Sequence, residues 1–252
     1  MSALPGDFWE TLPLRKEVQL LARDANGLAA FDKPAGLLSH PNDSKDEPRA
    51  LLTCRYDKET QCFTWPAADG TPRRLWLLNR LDSATSGVIL TAASEKLAAA
   101  IREHYANKQV RKVYNALVFG QPRKEHELWY DQLAVKKSHG QIRTSTIGNV
   151  PAETQFRLIR HTQEAFSTAL IRLEPRTGRS HQLRVQCAKR QLPIVGDQTY
   201  GDFARNRAFA KTTKSKRLFL HSLETSFTYE FAGRQCAFKA AAPLPREFLE
   251  KY

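Results

Sequence analysis

Cysteine is scarce in this chain: four in 252 residues, at positions 54, 62, 187 and 236, with no CxxC pair among them. That excludes a disulfide-built scaffold and a zinc ribbon. The seven histidines form no HExxH or HxH pattern and no cluster with cysteine at zinc spacing, so no metal site is expected. No apolar run approaches the roughly eighteen residues of a membrane span. The first seventeen residues, MSALPGDFWETLPLRKE, carry acidic side chains and no apolar leader core. Residence in a reducing cytoplasm, away from any membrane, is therefore expected. Glycine and proline, 12 and 13, are too few for a collagen-like or low-complexity chain. No internal repeat is present.

Negative charge is also short. Lys and Arg number 39 against 26 Asp and Glu, a formal net charge of +13. Such a field draws polyanions, which points to nucleic acid or an anionic surface, or else marks a merely basic protein. Apolar residues reach 41%, enough to bury a core without staples.

Residues 1–16 read as a short arm. EVQLLARDANGLAAFDKPAG (17–36) predicts a hairpin, because two β-capable runs flank an Asn-Gly turn. Residues 41–48 read as a polar loop, with a short helix over 48–57. RRLWLLNR (73–80) and GVILTAAS (87–94) predict buried strands broken by RLDSATSG. Ser94 suits a helix N-cap, and Leu97 and Ile101 recur at helical spacing, so a helix to about 107 follows. VRKVYNALVFG (110–120) predicts a strand, a basic loop surrounds Lys136 and Lys137, and 153–161 and 164–175 predict paired strands. SHQLRVQCAKR (180–190) has helical character. Residues 202–217 are a basic stretch in which 205–217 read as a loop, and 217–231 with 234–241 read as a closing hairpin. Many strands and few helices indicate an α+β fold, with a mainly antiparallel mixed sheet and flanking helices. One continuous domain over 17–252 is expected.

Three segments carry candidate chemistry. In NRLDSATSGVILTA (79–92), Asp82 falls in a polar turn at a strand end, beside Arg80. It is either a turn-capping aspartate or a carboxylate held ionised by its surroundings. In RKVYNALVFG, Tyr114 shares a strand face with Lys112. Its ring either packs half-buried or stacks on a base while its hydroxyl moves a proton. In EPRTGRSHQLRVQCAKRQLPIVGDQTYG (174–201), Arg179, His181, Gln182 and Arg184 gather at a helix start, where a basic solvated face and an anion site are both open readings. The apolar neighbours Leu183, Val185 and Cys187 indicate that the helix is partly buried. A buried arginine needs an acidic partner or a phosphate.

Together with FDKPAGLLSHP (31–41), these segments resemble the RluA family of RNA pseudouridine synthases. The likeness rests on Lys33-Pro34-Ala35-Gly36 with His40; on Arg80-Leu81-Asp82 with Thr85-Ser86-Gly87; on Lys112-Val113-Tyr114; and on Thr177-Gly178-Arg179-Ser180-His181-Gln182-Leu183-Arg184 with Gly196-Asp197 and Tyr200-Gly201. It runs from about residue 17 to 243. The chain departs from the family at Asn79, where the family has histidine. Residues 1–16 leave no room for the S4 RNA-binding domain that many relatives carry.

The resemblance implies the pseudouridine synthase catalytic fold and the isomerisation of uridine to pseudouridine in ribosomal or transfer RNA, without a metal or other cofactor. It implies Asp82 as the essential carboxylate, Tyr114 on the target base and Arg184 as partner of Asp82. Arg80, Lys112, Arg179, His181, Gln182, Lys211, Lys214 and Lys216 are the expected RNA contacts, and a monomer is expected. Two other classes stand beside this reading: an RNA-binding protein of the same fold that has lost catalysis, and an unrelated nucleic-acid hydrolase. Intact Asp82, Tyr114 and Arg184 argue against the first, and the lack of a metal-ligand carboxylate cluster against the second.

Overall fold

The structure, a computed structural model, describes residues 6–138, 141–250 and 252. The chain divides into two compact units, Met1–Val110 with Glu224–Ala242, and Arg111–Leu223 with Pro243–Tyr252.

In the first unit, β1 (Gln19–Arg23) and β2 (Leu28–Lys33) form the expected hairpin around Asn26-Gly27. Strand β2 pairs along its length with β6 (Ser86–Ala92). A meander of β3 (Arg55–Asp57), β4 (Cys62–Pro66) and β5 (Pro72–Leu77) joins the other side of β6. Alternation along β2 and β6 feeds two cores. Leu28, Ala30, Val88 and Leu90 pack with Leu97 and Ile101 of α1 (Glu95–Ala106), while Phe31 and Ile89 pack with Leu51, Leu52, Phe63 and Leu77. Every residue of β6 is buried, which is why it reads as a continuous apolar run. Each large side chain so buried stabilises the unit by about 1.5–3 kcal/mol. Ser94 caps α1 by accepting the Leu97 N–H, as expected. From residue 6 the arm packs on this unit: Phe8 and Leu12 enter the second core, and Arg73 grips the Asp7 carboxylate at 2.7 and 2.9 Å.

The helix expected over 48–57 is absent. Ser44–Arg49 forms a 3-10 turn instead, and Arg55–Asp57 is strand β3. Pro48 cannot propagate a helix, and Ala50, Leu51 and Leu52 leave the turn extended to reach the core.

The second unit contains β7 (Arg111–Phe119), β8 (His126–Ser138), β9 (Gln141–Gln163) and β10 (Ser167–Pro175), antiparallel in the order β7-β10-β9-β8. Lys136 and Lys137, read as a loop, are strand residues in register with Arg143 and Ile142 in the β8–β9 ladder. Two helices follow, α2 (Gln182–Lys189) and α3 (Phe203–Thr213). The basic stretch 202–217 is therefore mostly helix and not loop. Asp202 caps α3 by accepting the Arg205 N–H, and Phe209 anchors it against Phe119, Phe219 and Tyr252. Strand β11 (Leu220–Phe231) starts in the second unit and ends in the first, where β12 (Arg234–Ala241) pairs with it as the expected closing hairpin. The antiparallel-rich α+β architecture agrees with the sequence reading. No helix among the described residues is long and apolar enough to cross a membrane.

Candidate active site

In the first unit, β5 and β6 both place apolar residues in the cores, so the polar sequence between them is expelled as a loop that carries Asp82. Asp82 itself is half-buried. The loop is fastened mainly through its main chain. Lys33, at the end of β2, is fully buried, and its ammonium donates to the carbonyls of Pro34 (2.9 Å), Leu37 (2.7 Å) and Ser83 (3.1 Å). The Gly36 N–H donates to the same Ser83 carbonyl at 2.7 Å, from a left-handed backbone (φ +90°) that suits glycine. Ser39 donates its hydroxyl to the Leu81 carbonyl at 2.8 Å and accepts the Leu81 N–H at 3.0 Å. Asn79, in the family's histidine position, accepts the Leu90 N–H at 2.7 Å and so ties the loop to β6. The Thr85 N–H to the Asp82 carbonyl closes the turn.

Arg80 is exposed beside a stacked pair, His40 on Tyr56, with ring centroids 4.7 Å apart and planes 12° off parallel. Burial holds His40 below the ordinary histidine range, and the Arg80 charge acts in the same direction. Burial pushes the Tyr56 hydroxyl up to about 12.

In the second unit, Lys112 and Tyr114 are both half-buried on one face of β7. The turn before α2 is organised by Gln182. Its side-chain oxygen accepts from the Thr177 hydroxyl (2.7 Å) and the Arg179 N–H (3.0 Å), and its amide donates to Glu153 (3.2 Å) and Thr154 (2.9 Å). Sequence reasoning set Gln182 among the RNA contacts; its buried carboxamide is engaged in holding the turn. His181 opens α2 in a left-handed conformation, with Nδ1 2.9 Å from the Tyr200 hydroxyl. Arg179 is exposed, its Nε donating to the Pro151 carbonyl at 3.3 Å.

Arg184 is 8% exposed, and its fork closes on Asp197 with two 2.8 Å bonds. Burial opposes the charged form of Asp197, but the Arg184 hydrogen bonds outweigh it and hold the carboxyl below its usual range. Asp197 also accepts the Thr199 and Tyr200 N–H groups, and the Tyr200 ring lies under the Arg184 guanidinium at 5.2 Å. Gly196 cannot be replaced here: a Cβ would stand 1.7 Å from the Arg217 carbonyl, and its φ is +78°. The Gly-Asp-x-x-Tyr-Gly stretch is thus the cradle that presents Asp197 to Arg184. Sequence reasoning quoted Asp197 without assigning it that role; the need of a buried arginine for an acid was the available signal. Lys33 and Ser39 were likewise not expected as fasteners of the Asp82 loop. Lys211, Lys214 and Lys216 are exposed on and just after α3.

A family model described as RNA pseudouridylate synthase matches residues 27–189, well over half the chain. The chain belongs to the RNA pseudouridylate synthase family. Its similarity extends to tRNA pseudouridine synthase C of Vibrio vulnificus (strain CMCP6), 31% identical over 221 residues, covering 84% of this chain and 85% of that protein. The enzyme of the same name from Pasteurella multocida (strain Pm70) is 33% identical over 219 residues, covering 82% and 85%. Among solved structures, human RNA Pseudouridylate Synthase Domain Containing 1 shares the fold, with a TM-score of 0.67 at 19% identity over 95% of this chain and 86% of that one. Human RNA Pseudouridylate Synthase Domain Containing 4 follows with 0.63 at 24% identity, over 91% and 90%. This RluA-type pseudouridine synthase is therefore an isomerase, and its substrate is RNA.

Proposed function

We propose that this pseudouridine synthase modifies uridine in transfer RNA, with Asp82 as its catalytic carboxylate. The target class is carried over from relatives whose names specify tRNA and that match over more than four-fifths of the chain. The observation that carries the role of Asp82 is the fastening of its loop. Lys33, Gly36, Ser39 and Asn79 hold the main chain around it, while the turn bond from Thr85 uses its carbonyl. Such fixing preorganises a reacting group.

The chemistry breaks the N1–C1′ bond of uridine, turns the uracil and joins C5 to C1′, after which the C5 proton leaves and N1 gains one. Uridine and pseudouridine are isomers, so the reaction takes no atom or electron from a cofactor. Positive character grows at C1′ as the glycosidic bond opens, and an ionised carboxylate answers it as nucleophile or base. Tyr114 takes the role of packing on the target base and helping to remove the C5 proton. Arg184 joins the catalytic group as a permanently charged guanidinium on a fixed helix. Arg80, Lys112, Arg179, His181 and the lysines at and beyond the end of α3 are assigned to the RNA, and Arg80 is given the role of filling the space left by a flipped nucleotide.

The test uses unmodified tRNA transcripts and ribosomal RNA fragments labelled with tritium at uracil C5. Release of tritium from tRNA, with pseudouridine in the nucleoside digest, is the expected result. Release from ribosomal fragments alone would move the substrate, and tight binding without release would replace the enzyme by a non-catalytic RNA binder.

A further inference from the structure

Two cations of the second unit, Arg184 and Lys112, are treated oppositely. Arg184 has a carboxylate clasped in its fork; Lys112, half-buried on β7, has no hydrogen-bond or ion-pair partner among the described residues. The ladder shows why. Tyr114 pairs with Leu173 of β10, and the same register carried two residues further sets Lys112 opposite Pro175, so its neighbour on that strand is apolar.

The charged groups around it are engaged elsewhere. Glu174 belongs to the other face of the sheet, where Arg111 (3.0 Å) and Arg172 (2.7 Å) bind it. Arg176 is tied to Glu153 at 2.6 Å, Arg179 to the Pro151 carbonyl, and His181 to Tyr200. On the opposite side of β7, the part of β11 in this unit contributes the fully buried His221. The Lys112 ammonium reaches instead toward Gly178, where a Cβ would lie 3.9 Å from Nζ. Burial without a counter-charge lowers Lys112 to about 8.

A half-buried ammonium with nothing to bind costs stability, and such a cost is tolerated where a ligand supplies the missing partner. The ligand must be an acceptor, since lysine offers three donors and no acceptor. It must also approach past a glycine, on the strand face that carries Tyr114, about 6.6 Å away along the strand. We propose that Lys112 is the ligand of an RNA backbone phosphate next to the nucleotide that reaches Tyr114. This rests on the reading of the chain as an RNA pseudouridine synthase. A phosphate suits a compact point charge, and it positions the strand without reading its sequence.

The test measures the affinity of the full-length enzyme for a tRNA transcript between pH 7 and 9, at fixed ionic strength, for wild type, Lys112→Arg and Lys112→Met. Wild type should lose affinity as pH rises past 8, whereas Lys112→Arg, charged throughout, should hold its affinity. Lys112→Met should bind about 10-fold more weakly at pH 7, as for one lost charge-assisted hydrogen bond, and yet melt at a higher temperature than wild type. Superimposable wild-type and Lys112→Arg curves, undiminished binding by Lys112→Met, or a lowered melting temperature would each overturn the proposal. Tritium release by wild type on the same RNA at pH 7 keeps the two questions apart. Its absence would overturn the activity reading and leave the binding curves to judge Lys112.

Discussion

In the first unit, the loop of Asp82 hangs on main-chain groups gathered by one buried ammonium, Lys33. In the second, the helix of Arg184 is clamped by a carboxylate, Asp197, that is 1% exposed. The two arrangements put aspartate to different uses. The Asp82 loop is secured by carbonyls, N–H groups and a serine hydroxyl, with the Lys33 ammonium among the donors. The Arg184 helix depends on an ionised acid. Asp197 lies below its unfolded value in the folded protein, so the stability it lends is complete above the unfolded carboxylate range, about pH 4. That stability is lost as pH falls through the folded value.

Breaking the second arrangement should have the larger effect. Arg184→Leu leaves Asp197 charged, buried and unpaired, and should cost about 3–5 kcal/mol in chemical denaturation followed by circular dichroism. Part of that cost should vanish at acid pH, where Asp197 can take up a proton. Breaking the first arrangement should cost less. Lys33→Met removes a charged donor shared by three carbonyls and should destabilise the protein by about 1.5–3 kcal/mol, with little change in its acid profile. Because Lys33 acts on the chemistry only by positioning the Asp82 loop, turnover should fall more than RNA affinity does, and Lys33→Arg should not restore it in so confined a site.

The smallest effect belongs to the surface of the second unit. Replacing Lys211, Lys214 and Lys216 together by alanine should leave stability within about 0.5 kcal/mol. It should flatten the salt dependence of RNA binding by roughly 0.7 log unit per lost phosphate contact, while turnover at saturating RNA holds. An unchanged salt slope would make these lysines solvated surface.

Local pattern made much of this fold legible. The Asn-Gly hairpin, the Ser94 cap and the closing β11–β12 hairpin each follow from a few adjacent residues. The basic stretch 202–217 misled because its helix buries only Asn206 and Phe209, too little for an apolar stripe, although Asp202 and three alanines favour a helix. The stretch after residue 48 misled because burial of Ala50, Leu51 and Leu52 suits an extended chain as well as a helix. Among the candidate site residues, Asp82 in the first unit and Tyr114 and Arg184 in the second stood out through their motifs. Their supports did not: Lys33 meets Ser83 fifty residues on, Ser39 meets Leu81 forty-two residues on, and Arg184 meets Asp197 across a cradle that only the folded glycines define.

The most direct test of the account concerns Asp82, whose loop Lys33, Gly36 and Ser39 fasten. Asp82→Asn, nearly isosteric, should be assayed for tRNA affinity and for tritium release from C5-labelled uridine in the same preparation. The account predicts affinity within a few fold of wild type and no release, because an amide neither attacks nor accepts a proton as a carboxylate does. Measurable pseudouridine from a clean Asp82→Asn preparation would contradict it.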